Sequence, residues 1–343
     1  MKRPFGQGRP VSLFTLGTMR ALGSVEQMAE VLDAARRAGI NHLETAPAYG
    51  PAERFLGEAL KQSGAAPHGG WVFTSKVLPG LSLEEGKRQL GGILDRLGCN
   101  RLDNLAIHGL NRPEHLSWAL DGDGRALLDW ALESGATSQV GFSSHGSQSL
   151  IAAAIDSERF QFCSLHLHLL DPQRIPLAQR ALKQGMGVLA ISPADKGGRL
   201  QAPSPTLTSD CAPFPPLHLA YRYLLAHGIS TLSVGASQAS DLQMAQSLQQ
   251  SDGPLSDQER ESLQRLHSLR AQRLGPDLCG QCQAALARLV VVDRPGDDKL
   301  VGLGALEHAL QAVAHRAWAA DDRRAEKALD LALARRAPAT AVA

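Results

Sequence analysis

The strongest constraint on the fold is an alternation. Short apolar runs of strand length trade places with longer runs of helical apolar spacing through the first three quarters of the chain. Residues 11–18 predict a first strand, and residues 25–38 a helix that stops at Gly39. Strands are then expected over 40–46, 72–77, 102–108, 138–143, 160–167, 187–192 and 231–234. Helices are expected over 52–61, 82–97, 126–133, 148–156, 175–183, 217–227, 239–249 and 257–273. Eight strand–helix units in about 270 residues have the size and rhythm of an α/β protein of the (β/α)8 TIM barrel type. A doubly wound sheet is the rival. It wants a glycine fingerprint straight after its first strand, and residues 11–20 offer only Gly17, followed by Gly23.

The rhythm ends near Gly275. Pro276, Pro295 and Gly296 precede two Ala-rich stretches, 303–320 and 321–336. The expected organisation is a barrel domain over 1–274 and a helical C-terminal extension over 275–343, packed on the barrel and frayed at its end. A loop over 200–216, rich in proline and serine, interrupts the last part of the barrel.

Composition excludes several classes. Lys plus Arg number 35 and Asp plus Glu 34, so a basic nucleic-acid footprint is not expected. Aromatics are 4%, too few for base-stacking platforms. Lys2 and Arg3 have no apolar block behind them, so no signal peptide is expected, and no run is long enough for a membrane span. Five cysteines (99, 163, 211, 279, 282) are too few for a disulfide scaffold, which points to a reducing, cytoplasmic setting.

The ends of parallel barrel strands converge on one mouth. Tyr49 follows the second predicted strand in Glu44-Thr45-Ala46-Pro47-Ala48-Tyr49-Gly50, Lys76 ends the third, and His108 ends the fourth. Hydride attack on a carbonyl builds negative charge on oxygen, and a phenol can protonate it. An ammonium beside that phenol would lower its pKa from roughly 10. In this reading Lys76 tunes Tyr49, Glu44 holds Lys76 charged, and His108 orients the oxygen. Taken singly, each residue has a bland account as packing or solvated polarity; the combination on consecutive strands is more specific.

These residues resemble the aldo/keto reductase family over roughly residues 10–270. The family's Asp-Thr-Ala-x-x-Tyr-Gly reads here as Glu44-Thr45-Ala46-Pro47-Ala48-Tyr49-Gly50, so its Asp falls on Glu44, with one methylene more. The resemblance implies reduction of an aldehyde or ketone, a small-molecule substrate, by the 4-pro-R hydride of NADPH, with Tyr49 as proton donor. A closer resemblance is to an iron–sulfur bacterial and cyanobacterial branch of these reductases. It rests on Glu44-Thr45-Ala46, His108-Gly109-Leu110-Asn111, Gly141-Phe142-Ser143-Ser144-His145-Gly146 and Ile191-Ser192-Pro193-Ala194-Asp195-Lys196-Gly197-Gly198. Of that branch's cysteine cluster only Cys279-x-x-Cys282 is present, so an intact cluster is not expected.

The resemblance also implies cofactor contacts. The nicotinamide-binding Ser-Asn pair falls on Ser143-Ser144, the Gln of strand six on His166, and the stacking Tyr of strand seven on Ile191, followed by Ser192. Lys196 lies in a glycine-bearing mouth loop and could reach a phosphate or an acidic substrate. The turn after strand eight, Gly235-Ala236-Ser237-Gln238, would offer backbone N–H groups to a pyrophosphate. Asp241 stands close by and would repel a 2′-phosphate, so NADP is expected from resemblance while NAD stays open.

No metal is assigned, although His166-Leu167-His168 has the strand spacing that some barrel metal hydrolases use. The chain is expected to be a monomer or weak homodimer. The alternative to a reductase is a catalytically weakened barrel that binds a cofactor or regulates, motivated by Glu44, Ser144, Ile191, Gln238 and the missing cluster cysteines.

Overall fold

A computed structural model describes residues 1–63, 70–195 and 200–274. The expected tail helices, Cys279, Cys282 and Lys196 lie outside the described residues. Among the described residues ten strands occur: β1 Lys2–Arg3, β2 Val11–Ser12, β3 Phe14–Gly17, β4 His42–Glu44, β5 Val72–Val77, β6 Leu102–Ile107, β7 Thr137–Ser144, β8 Phe162–His166, β9 Gly187–Ile191 and β10 Thr231–Gly235. The last eight close into an all-parallel barrel in the order β10-β3-β4-β5-β6-β7-β8-β9. This is the (β/α)8 fold that the alternation predicts. The helices are α1 Val25–Arg37, α2 Ala52–Gln62, α3 Leu83–Leu97, α4 Pro113–Asp121, α5 Asp123–Glu133, α6 Gln148–Asp156, α7 Ile175–Lys183, α8 Pro205–Cys211, α9 Pro216–Ala226, α10 Gln243–Ser247 and α11 Asp257–Leu274.

Local chemistry sets the element ends. Ser24, Ser82 and Ser147 each accept a hydrogen bond from the third residue of the helix they open. Ser82 and Glu85 complete a reciprocal capping box. The predicted strand 11–18 is broken at Leu13. Ser12 turns its hydroxyl back onto the Phe14 carbonyl at 2.6 Å, and its N–H goes to Asn41 Oδ1 at 2.6 Å. The expected loop 200–216 contains a helix, α8, capped by Ser204 and opened by Pro205.

The chain divides into two compact units. The first, Met1–Gly198 with Ala220–Pro254, contains the barrel. The second, Arg199–Leu219 with Leu255–Ala343, includes α8 and α11, joined by Ser262 Oγ donating to the Ala212 carbonyl at 3.2 Å and by the His218–Glu259 contact at 2.9 Å.

Inside the barrel two kinds of interior meet. The floor is closed by Phe5, fully buried in the loop of the β1–β2 hairpin, against Phe162 at 5.2 Å and His42 at 5.3 Å between ring centroids. Above it runs a polar waist. Thr231 Oγ1 meets Thr15 Oγ1 at 2.7 Å, Thr15 Oγ1 meets His42 Nδ1 at 2.7 Å, and His42 Nε2 meets Thr74 Oγ1 at 2.7 Å. Asn104 Nδ2 donates to Thr74 Oγ1 at 2.9 Å, and Gln139 Nε2 donates to Asn104 Oδ1 at 2.6 Å. The chain of bonds crosses six strands with no charged group. Burial drives the His42 pKa down to about 3, so the ring is neutral.

Candidate active site

The site lies one layer above the waist. Side chains two residues apart on a strand share a face, so Glu44 stands over His42 on β4 and Lys76 over Thr74 on β5. After β4 the chain enters a single 3-10 turn, Pro47–Tyr49, with Tyr49 N–H bonded to the Ala46 carbonyl at 3.0 Å. Gly50 follows at φ +60°, a left-handed conformation that favours glycine. The turn brings the Tyr49 phenol back over the strand ends.

Lys76 spends all three ammonium protons there. It donates to Glu44 Oε1, to the Thr45 carbonyl at 2.9 Å and to Tyr49 Oη at 2.9 Å. Lys76 and Glu44 are almost wholly buried. Tyr49 in turn donates its phenol proton to Glu44 Oε1 at 3.1 Å. The His108 ring stands edge-on to the Tyr49 ring, with centroids 5.9 Å apart. Four residues from three successive strand ends therefore meet at one point. His108 Nδ1 is buried and has no hydrogen-bond partner among the described residues, which leaves a polar atom available to a ligand.

The electrostatics correct one expectation. Tyr49 is not made acidic by Lys76. Burial and the Glu44 carboxylate push its pKa up to about 12, and the opposing pull of Lys76 does not win. Glu44 Oε1 accepts from the phenol as well as from the ammonium, which is how its charge bears on Tyr49. Burial pulls Lys76 down, but Glu44 and then Tyr49 outweigh it and its pKa is raised. Lys76 is thus a fixed cation. Burial, reinforced by Lys76, drives His108 down to about 4, so its ring is neutral near pH 7.

The sequence matches the aldo/keto reductase family over residues 14–204. The chain belongs to the aldo/keto reductase family. Its fold is similar to that of an aldo-keto reductase from Bacillus halodurans in its holo form, at TM-score 0.66 and 22% identity, covering 77% of this chain and 95% of that one. The apo form of the same protein aligns at TM-score 0.63 and 23% identity, over 77% and 95% of the two chains. A structure titled a putative aldo-keto reductase from Pseudomonas aeruginosa aligns at TM-score 0.59 and 22% identity, over 72% of this chain and 94% of that one. A sequence search of curated proteins returns no match.

The closer resemblance to an iron–sulfur branch is overturned. The matches are to the aldo/keto reductase family and to reductases of that fold. Among the described residues the cluster of metal-ligating side chains is His166, His168 and Asp171, with no cysteine in it. Cys99, Cys163 and Cys211 are free and buried, and burial raises each thiol pKa.

The expected cofactor contacts of this aldo/keto reductase are only partly arranged to receive one. Ser143 Oγ accepts from the Gly109 N–H at 3.0 Å and donates to the Ile107 carbonyl at 3.4 Å. Ser144 Oγ donates to the Leu110 carbonyl at 2.6 Å and accepts from the Gly146 N–H at 3.0 Å. Both hydroxyls are committed to holding loops. His166 ends β8 inside the mouth, 5.8 Å from the His145 ring. Ile191 ends β9 half-buried, and Ser192 beside it takes a left-handed φ of +55°.

The turn after β10 is the clearest departure. Asp241 Oδ2 accepts from the Ser237 N–H at 2.8 Å, the Ser237 hydroxyl at 3.0 Å and the Gln238 N–H at 3.4 Å. The backbone donors expected to hold a phosphate already hold a carboxylate. Arg20, which sequence reasoning passed over, lies against this turn: a Cβ added at Gly235 would sit 3.0 Å from Arg20 Cδ. No spacing signal links residues 20 and 235; only the closure of β10 onto β3 brings them together.

Proposed function

We propose that the protein reduces an aldehyde or ketone with a nicotinamide cofactor, and that Tyr49 supplies the proton. The Tyr49–Lys76–Glu44 network carries this reading, with Tyr49 Oη 2.9 Å from Lys76 Nζ. Family membership supports a cofactor of the NAD(P)H type.

A phenol with a pKa near 12 is still a competent donor to the oxygen that hydride attack creates. An alkoxide has a basicity near that of hydroxide, whose conjugate acid has a pKa of roughly 15.7. Proton transfer from Tyr49 to it runs downhill. Lys76 stabilises the phenolate left behind, and its contact with Thr45 fixes it in place as it does so. The neutral His108 ring offers a hydrogen bond that orients the carbonyl oxygen toward Tyr49. Before donating outward the Tyr49 hydroxyl must turn from Glu44.

A nicotinamide supplies the hydride when bound, and in this reading His166, Ile191 and Ser192 would border it. The phosphate end fits less well. Ser237 and Gln238 can hold a pyrophosphate only if Asp241 gives up their N–H groups. Arg20 brings a positive charge to that turn. NADH, which places no 2′-phosphate near Asp241, is the preferred donor in this reading.

The same Asp241 cap favours a second reading, a barrel that has lost efficient turnover and acts by binding. Cofactor oxidation with a panel of aldehydes and ketones separates the two. Turnover that disappears in Tyr49→Phe supports the reductase. Cofactor binding without turnover, unchanged in Tyr49→Phe, supports the binding protein.

A further inference from the structure

We propose that His166, His168 and Asp171 form a binding site for one divalent metal ion of the zinc class at the barrel mouth. Each offers one ligand atom, and these atoms all lie within 4.8 Å of one another. One short segment supplies all three. His166 ends β8, and His168 and Asp171 face each other across an isolated antiparallel bridge, with Asp171 N–H bonded to the His168 carbonyl at 3.1 Å. The spacing is therefore set by backbone hydrogen bonds rather than by chance contact of long side chains.

The donor set suits the ion. Two imidazoles and one carboxylate are ligands of zinc, and three protein ligands leave a fourth position open for water or a further ligand. The rings of His166 and His168 meet edge to face at 4.9 Å between centroids, and both residues are buried. Tetrahedral zinc with bonds of about 2.1 Å spaces its ligand atoms by about 3.4 Å. With every pair within 4.8 Å, none has to close by more than about 1.4 Å, a side-chain adjustment.

Arg174 competes with an ion for Asp171. Its Nη1 lies 3.9 Å from Asp171 Oδ2. Asp171 Oδ1 is buried and accepts no hydrogen bond among the described residues. The guanidinium can hold one carboxylate oxygen as an outer partner while the other faces the ion. Its charge opposes that of the ion and weakens the site.

His166 is also where a nicotinamide would lie. Metal and cofactor would then compete, a consequence that alone rests on the reductase reading.

The test uses the full chain carrying Cys279→Ser and Cys282→Ser, so that the thiol pair cannot supply the ligands. After treatment with a chelator it is titrated with zinc and with cobalt(II). The expected result is one ion per chain, with a cobalt spectrum of nitrogen and oxygen ligands, lost in His168→Gln. No bound ion, or binding unchanged in His168→Gln, overturns the site. Should that variant fail to fold, paramagnetically shifted imidazole proton signals in the cobalt-loaded parent decide: two shifted rings support the site and none overturns it. Zinc that binds without weakening NADH binding leaves the metal site standing and removes His166 from the cofactor's path.

Discussion

The waist and the mouth of the barrel are built on the same strands, one layer apart, and behave oppositely. His42 and Glu44 are neighbours on one face of β4, as are Thr74 and Lys76 on β5. In the waist the polar groups are neutral and bonded from strand to strand across six of the eight strands, so the chain of contacts fixes the order and register of those strands. In the mouth the groups are charged, coupled, and incomplete at His108 Nδ1. Burial alone does not make a polar cluster a reactive one. Saturated neutral bonds specify a fold, whereas a buried charge pair with an open neighbour leaves work for a ligand.

Variants should separate the layers. Tyr49→Phe is expected to lower kcat by about 10²–10⁴ while leaving the urea unfolding midpoint near that of the parent, because Lys76 keeps Glu44. If the midpoint falls as far as the activity, the mouth is structural and the contrast fails. Lys76→Met should blur the line by leaving the Glu44 carboxylate buried without its cation, at a cost of about 3–5 kcal/mol in urea unfolding.

Waist variants should do the reverse. His42→Leu should cost about 1–3 kcal/mol in urea unfolding, because Thr15 and Thr74 each lose a partner, with kcat of the folded protein unchanged. Acid exposes the same residue. His42 is neutral in the fold, with a pKa of about 3 against 6.5 when free, so the unfolded chain takes up the proton first. Stability is then lost as pH falls from 6.5 toward 3, by about 1.4 kcal/mol per pH unit from this group. His108, at about 4, adds to the loss over the upper part of that window. Denaturant melts against pH should be flatter in His42→Leu; equal slopes would sink the assignment.

Glu44→Asp should have the smallest effect. It withdraws the carboxylate by about one C–C bond, 1.5 Å, from the phenol while Lys76 keeps its partner. The Tyr49 pKa should fall, and the alkaline limb of the kcat profile should move to lower pH. An unmoved limb would mean that Glu44 does not govern Tyr49.

Much of this was legible in the sequence, for unequal reasons. Strand ends announce themselves by local apolar runs, and parallel strands in a barrel must deliver their ends to one place. Glu44, Tyr49, Lys76 and His108 were therefore readable together. The waist was not, because Thr15, Thr74, Asn104 and Gln139 look like isolated polar residues in apolar strands until shear sets their heights. The Tyr49 pKa escaped for a related reason: its direction follows from how deeply the phenol is buried and then from its contact with Glu44, and neither depth nor contact is written in the residue order. The sequence shows Asp241 as a charge near a phosphate site, but its role as a backbone cap depends on the turn geometry of residues 237–241. The ligand triad was half legible, since the His-x-His spacing is periodic whereas Asp171 joins only through a turn.

The aromatic seal formed by Phe5 has a consequence for how the molecule exchanges with its surroundings. Phe5, Phe162 and His42 are fully buried against one another, and Thr15 and Thr74 beside them are buried too. Isotopic label therefore reaches the Thr15–His42–Thr74 chain only when the packing around it opens, and its exchange rate reads out that opening.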